Sequence, residues 1–261
     1  MQRALRGNQQ VIQEAVEAAA RQYATIVKPD FQRTIDQIQR LWLRSAPDNW
    51  HGLGDEALAL TDLVQESGIC LVWVPREMVI RRLLGVDVTA RPAELALLSE
   101  EVLYDLDAAL AEAQTLELDL RGHPEACAFA GEAIAAARAG HWSAAQAVAA
   151  CGLGQVLHAT YGFSTLGQAF KKFNARDVDE ATMEILKVAL LEVSTARALQ
   201  NYGDVQPDGF NRHATQHGER NFFSKANALA GLLLLVGWLR EFKWLEANHP
   251  QVFADREDRA E

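Results

Sequence analysis

Apolar residues recur at every third or fourth position along most of the chain, a spacing that is typical of amphipathic α-helices. In the stretch 92–118, for example, one stripe is formed by Leu95, Leu98, Val102, Leu106 and Leu110. The same pattern predicts helices at residues 11–27, 30–44, 55–65, 76–84, 92–118, 126–139, 143–161, 178–199 and 222–247. The sequence therefore predicts an all-α protein that is organised as a helical bundle.

One apolar run does not follow the helical spacing. Residues 69–74 (Ile-Cys-Leu-Val-Trp-Val) are continuously apolar and rich in strand-forming side chains, and Pro75 ends the run. A single strand cannot satisfy its own edges. We therefore expect buried extended chain or a short helix at this place, with core packing as its role.

The composition changes near residue 120, which predicts a division of the chain. From Gly122 onward the helices are rich in alanine, whose small side chain lets helices approach closely. We expect an N-terminal helical region at 1–120, a second helical region at 121–250 and a charged tail at 251–261. The N-terminal region is predicted to sense, regulate or bind a partner.

Charge limits the kinds of ligand that the chain can take. Its formal net charge is −10, which argues against broad, nonspecific binding to nucleic acid. Residues 204–245, however, hold four acidic and five basic residues. An acidic protein with a locally basic segment suits a small or single-stranded anionic ligand better than a long duplex.

Several features indicate a cytoplasmic, soluble protein without a membrane partner. Residues 1–10 are polar and lack the apolar core of a signal peptide. The longest apolar run, 228–239, ends at Arg240 and is shorter than the ~20 residues of a membrane-spanning helix. The three cysteines are isolated and have apolar neighbours, so we expect buried thiols in a reducing compartment: Cys70, Cys127 and Cys151.

The residues with the clearest chemical potential lie at 211–218 (Asn-Arg-His-Ala-Thr-Gln-His-Gly). Arginine binds phosphate with a rigid fork of donors, and histidine gains or loses a proton near neutral pH. On a helix, His213 and His217 would lie one turn apart on the same face. Arg212 and His217 would lie about 140° apart. They would reach one ligand only if a junction between loop and helix separated them, which Gly209 and Gly218 make plausible.

These residues resemble the motif of HEPN-domain ribonucleases: arginine, a polar residue, three arbitrary residues and histidine. Arg212, His213 and His217 fill the three positions, and Gly218 and an apolar closing helix follow. The resemblance covers residues 122–249 and implies that the region 121–250 is a HEPN-like bundle of four to five helices. It implies a metal-independent endoribonuclease without a cofactor, of a kind found in toxin–antitoxin and phage-defence systems. It also implies a homodimer in which both motifs face one cleft, with RNA as substrate and an antitoxin or regulatory protein as a further partner.

By the same resemblance, Arg212 would bind the scissile phosphate and stabilise its growing negative charge. His217 would act as general base for the ribose 2′-hydroxyl or as general acid for the leaving oxygen, and His213 would orient the phosphate or its partner. Proximity adds further candidates for substrate binding, which are Asn211, Arg220 and, on the basic stretch 163–177, Lys171 and Lys172.

Other interpretations of the same residues remain open. The segment is also compatible with a solvated loop that caps a bundle helix. His213 and His217 have the spacing of helical metal ligands, but the glutamate of a HExxH site and neighbouring cysteines are missing. A non-catalytic HEPN-like module that binds a nucleotide or a protein partner is the main alternative. An adaptor that acts through residues 11–44 is another.

Overall fold

The computed structural model describes residues 46–117, 120, 122–161, 183–200, 203 and 209–249. These residues contain helices and no strand, so the all-α prediction is confirmed for this part of the chain. The chain divides into two compact units, Met1–Ala46 with Asp177–Ile185 and Pro47–Arg176 with Leu186–Glu261. Nearly all described residues belong to the second unit. The features predicted at 11–27, 30–44, 163–177 and 251–261 lie outside the described residues.

The described residues form nine α-helices, whose bounds lie within a few residues of most predicted ones. They are α1 (Ala59–Ser67), α2 (Glu77–Leu84), α3 (Arg91–Leu97), α4 (Ser99–Ala113), α5 (His123–Arg138), α6 (Trp142–Tyr161), α7 (Met183–Ala198), α8 (Arg212–Gln216) and α9 (Lys225–Asn248). Short 3-10 turns occur at Asp48–Trp50, Gly54–Leu58, Val88–Ala90 and Arg220–Phe222.

The closing helix α9 lies at the centre of this unit. Every residue from Asn227 to Phe242 is buried, as expected for a helix that is apolar on all sides. Helices α3, α4, α5 and α6 pack around α9. Because α3 and α4 come from the region predicted as N-terminal, the described part of the chain shows no separation at residue 120. Among the described helices, none combines the length and the apolar character needed to cross a bilayer.

The long helix predicted at 92–118 is wrong, because the structure has two helices there. Leu98 leaves the helical conformation with ψ at 16° and separates α3 from α4. Its N–H still donates to the carbonyl of Glu94, and its own carbonyl accepts from the N–H of Val102. The predicted stripe is nevertheless buried throughout: Leu95, Leu98, Val102, Leu106 and Leu110. The bend keeps these side chains in the core, so the spacing of apolar residues does not reveal it.

The apolar run 69–74 is buried chain outside any helix or strand, with bends at Val72 and Trp73. Its expected burial is confirmed, and the alternative of a short helix is wrong. Side chains from the connection before α1 bind its backbone. Asn49 Nδ2 donates to the carbonyls of Leu71 (3.1 Å) and Pro75 (2.7 Å). Trp50 Nε1 also donates to Leu71, at 2.9 Å. These bonds satisfy carbonyls that would otherwise be buried without partners.

A polar cluster lies in the core where the 69–74 run meets α7 and α9. Lys187 and Glu241 are both fully buried, and their Nζ and Oε1 atoms are 3.3 Å apart. Glu241 Oε2 accepts from Nε1 of Trp73 at 2.8 Å. The Lys187 ammonium also lies over the rings of Trp244 and Trp73, 2.8 and 5.1 Å from their centroids. Trp73 has a φ of +69°, a left-handed conformation that is costly for a bulky residue.

The prediction for the cysteines is confirmed for two residues and wrong for the third. Burial raises the pKa of the Cys70 thiol to about 12 and that of the Cys127 thiol to about 11. Cys151, on α6, is exposed. Most residues of α6 are small or apolar, so its sequence does not indicate which face is turned toward solvent.

Candidate functional site

Helix α8 begins at a cap made by Asn211, which sequence analysis proposed as a substrate contact. Its Oδ1 accepts from the N–H of Ala214 at 2.8 Å, and its Nδ2 donates to the carbonyl of Gln200 at 2.9 Å. Only 2% of the residue is exposed. Asparagine is among the preferred residues at a helix N-terminus for this reason. Both ends of the amide are therefore used by the fold, and Asn211 is a capping residue in this arrangement.

A buried glutamine on α6 fixes the rest of the segment. Gln146 Nε2 donates to Oγ1 of Thr215 (2.8 Å) and to the carbonyl of Phe222 (2.9 Å). Its Oε1 accepts from the N–H of Ser224 at 3.3 Å. One side chain thus joins α6, α8 and the start of α9. The sequence did not single out Gln146, because glutamine is rarely fully buried and is normally expected at the surface.

Arg212 points into the unit, toward α6. Only 7% of the residue is exposed, and Nε donates to the carbonyl of Ala150 at 2.8 Å. Nη1 donates to Oε1 of Gln216 at 2.8 Å. A methyl group at Gly154 would come within 2.5 Å of Nη2, so this glycine makes room for the guanidinium. Burial lowers the pKa of Arg212, while the nearby Cys151 acts in the opposite direction. In this arrangement Arg212 connects α8 to α6 through its hydrogen bond to Ala150.

The two histidines of the segment lie together at the surface. The ring centroids of His213 and His217 are 4.6 Å apart, with 41° between the ring planes. His217 is exposed and His213 is partly exposed. Both make additional interactions besides this ring contact. The predicted placement on one helix face is therefore confirmed.

Arg212 and His217, by contrast, lie on different sides of one continuous helical turn. The chain is helical from Arg212 to Gln216, and His217 keeps a helical conformation with φ −83° and ψ −1°. The loop-to-helix junction falls before Arg212, and the left-handed Gly218 (φ +70°) follows His217. The junction that would let both residues reach one ligand is thus absent between them. The structure brings the two histidines together but does not bring Arg212 to them.

The remaining candidates are an exposed arginine and two lysines. Arg220, on the 3-10 turn after α8, is exposed. Lys171 and Lys172 lie outside the described residues. Within the described ranges, no group of three or more histidine, cysteine, aspartate or glutamate side chains is arranged to hold a metal ion.

The geometry can be set beside known proteins. No protein-family model, no curated protein and no solved structure matches this chain. The HEPN resemblance therefore rests on the residues at 211–218 and on the apolar helix that follows them. The chemistry of the site has to be argued from its own side chains.

Proposed function

We propose that the protein is a metal-independent endoribonuclease whose proton transfers are carried out by His213 and His217. The observation that carries the proposal is the surface pair of imidazoles, one exposed and one partly exposed, with centroids 4.6 Å apart. RNA cleavage without a metal needs one group that accepts a proton and one that donates a proton. Two adjacent imidazoles supply both, since histidine titrates near neutral pH.

In the proposed reaction, one imidazole takes the proton of a ribose 2′-hydroxyl. The 2′-oxygen attacks the neighbouring phosphorus, and the bond from phosphorus to the 5′-oxygen breaks. The second imidazole, in its protonated form, gives a proton to this leaving oxygen. The products are a 2′,3′-cyclic phosphate end and a 5′-hydroxyl end.

The phosphate contact is assigned to Arg220 and not to Arg212. Arg220 is exposed and lies three residues after His217, whereas the Arg212 guanidinium is bound to Ala150 and Gln216. Arg212 would then position the histidines by holding α8 on α6. The protein would act as a homodimer in a toxin–antitoxin or phage-defence system, as the HEPN resemblance implies.

A second candidate is a non-catalytic helical module that binds a nucleotide or a protein partner. The burial of Arg212 favours it, because the arginine of the HEPN motif serves the fold here. In that case the Arg212–His217 segment would be retained as a structural turn that closes the bundle over α6.

An RNA cleavage assay separates the two candidates. Purified protein is incubated with end-labelled RNA in EDTA, beside the His217→Ala, His213→Ala and Arg220→Gln variants. We expect cleavage that survives chelation and leaves cyclic phosphate ends. Loss of a general acid or base should lower the rate by about 10²- to 10⁴-fold in either histidine variant. His51→Ala, at an exposed histidine before α1, should cleave at the original rate.

Three outcomes would contradict the proposal. Activity that disappears in EDTA would indicate a metal enzyme. Cleavage that persists in both histidine variants would come from another site or from a contaminant. A protein that cleaves no RNA but binds a second protein would support the non-catalytic module.

A further inference from the structure

The surface made by α6 and residues 209–225 differs in charge from the rest of the chain. Residues 139–161 contain no aspartate, glutamate, lysine or arginine, although the chain as a whole carries a net charge of −10. Residues 209–225 carry three basic side chains, Arg212, Arg220 and Lys225, against one acidic side chain, Glu219. An anionic ligand is therefore repelled less here than elsewhere on the chain.

An aromatic side chain and an ammonium group meet at one end of this surface. Lys225 Nζ lies 5.0 Å from the ring centroid of Trp142, and both residues are partly exposed. Trp142 is the first residue of α6 and Lys225 is the first residue of α9. Such a cation over an indole face is attracted by the ring's quadrupole. The indole and the ammonium group over one of its faces are thus both in part accessible to solvent.

Buried hydrogen bonds hold this pair in a fixed relation to the histidines. Gln146 lies one turn after Trp142 on α6, and its Oε1 accepts from Ser224, the residue before Lys225. Its Nε2 donates to Thr215, which lies between the two histidines in sequence. The same side chain therefore connects the Trp142–Lys225 pair with the turn that carries His213 and His217.

We propose that Trp142 and Lys225 form a nucleotide subsite for single-stranded RNA beside the histidine pair. A base stacks on the indole face opposite Lys225, and the Lys225 ammonium binds the adjoining phosphate. Stacking suits a substrate of any sequence, since every base has a π-face. The shortage of acidic groups on this surface favours a polyanion. The inference rests on the proposed function, for which it supplies the substrate-holding residues.

Binding to an RNA that cannot be cut tests the subsite separately from catalysis. The probe is a single-stranded RNA of about 12 nucleotides with 2′-O-methyl riboses, a length within the usual range of such sites. We expect it to quench tryptophan fluorescence, and we expect Trp142→Ala to weaken binding by about 5- to 150-fold, the range found for one stacked base. Trp142→Phe should retain most of the affinity, because phenylalanine keeps an aromatic face, but should lose the quenching.

A lysine on the same helix provides a matched control. Lys225→Gln should weaken binding and reduce its dependence on salt. Lys243→Gln, eighteen residues further along α9 and thus about 27 Å away, should leave both unchanged. Each variant is compared with the original protein in thermal unfolding, so that loss of the fold is detected.

The outcomes distinguish this inference from the proposed function. If the protein binds the probe with equal affinity in the original and the Trp142→Ala forms, the subsite is refuted while cleavage can still occur. If Trp142 and Lys225 are needed for binding but unmodified RNA stays intact, the nuclease proposal fails and the subsite stands. If the original protein does not bind the probe, the subsite is refuted.

Discussion

Replacing Lys187 with methionine should destabilise the protein strongly. The Lys187 and Glu241 side chains are both 0% exposed, so removal of the ammonium leaves the carboxylate in the core without its cation. Trp73 Nε1 would still donate to it, but a neutral donor does not replace the lost positive charge. Breaking a buried ion pair costs about 3–5 kcal/mol in the free energy of unfolding. For a chain of this size, the loss corresponds to a fall in Tm of roughly 6–20 °C.

The double variant Lys187→Met/Glu241→Gln should recover most of this loss. Glutamine keeps an oxygen that can accept from Trp73, and neither side chain is charged. Replacing both members of a buried pair is often neutral or stabilising. We therefore expect the effects of the two substitutions to be strongly non-additive, as is usual for residues in direct contact.

Urea unfolding of the four proteins in the cycle measures these values, with Arg138→Met as a control. Arg138 forms an ion pair with Asp107 in which both side chains are about half exposed, so its removal should cost no more than about 1 kcal/mol. The reasoning is refuted if Lys187→Met costs as little as this control. It is also refuted if the double variant is no more stable than Lys187→Met.

Two further predictions concern Arg212 and His123. Gly154→Ala should lower the free energy of unfolding, because its methyl group would come within 2.5 Å of Arg212 Nη2 and the guanidinium could move away only by disturbing its hydrogen bonds to Ala150 and Gln216. Gly131→Ala, whose nearest neighbour is 3.9 Å away, should raise it by roughly 0.5–1 kcal/mol. If chemical denaturation gives the same change in the free energy of unfolding for Gly154→Ala and Gly131→Ala, the observed position of Arg212 is contradicted. Burial lowers the pKa of His123, so below pH 6.5 the unfolded chain binds a proton that the native protein does not, and stability should fall as pH drops. His123→Phe should flatten this part of the stability profile, and an unchanged profile would contradict the assignment.

The fold class and most helix positions follow from the sequence because they depend on local spacing. A buried stripe must repeat with the turn of the helix, so α1, α2 and α4 are visible as patterns. The central position of α9 is visible as well, since its run 228–239 has no polar face. The bend at Leu98 is not visible, because it leaves the spacing of buried residues intact.

Long-range polar contacts are the part that the sequence does not reveal. Lys187 stands in a helix with apolar neighbours and has the pattern of a lysine whose charge reaches solvent. Its burial depends on Glu241 and two tryptophans that come from other segments. Gln146 is a similar case, since its partners all lie in the stretch after residue 210. Neither residue has a neighbour in sequence that indicates these contacts.

In the motif at 211–218, local spacing predicts only part of the arrangement of the site. Its four-residue step correctly places His213 beside His217, but it cannot determine how α8 is rotated about its own axis. That rotation is decided by the carbonyl of Ala150 and the space at Gly154, which together draw Arg212 toward α6. A dimer that used Arg212 for a phosphate would first have to break two charge-assisted hydrogen bonds, at about 1.5–3 kcal/mol each. Arg220 needs no such rearrangement, because its side chain is already exposed. The cleavage assay with Arg220→Gln therefore tests the reassigned phosphate contact directly.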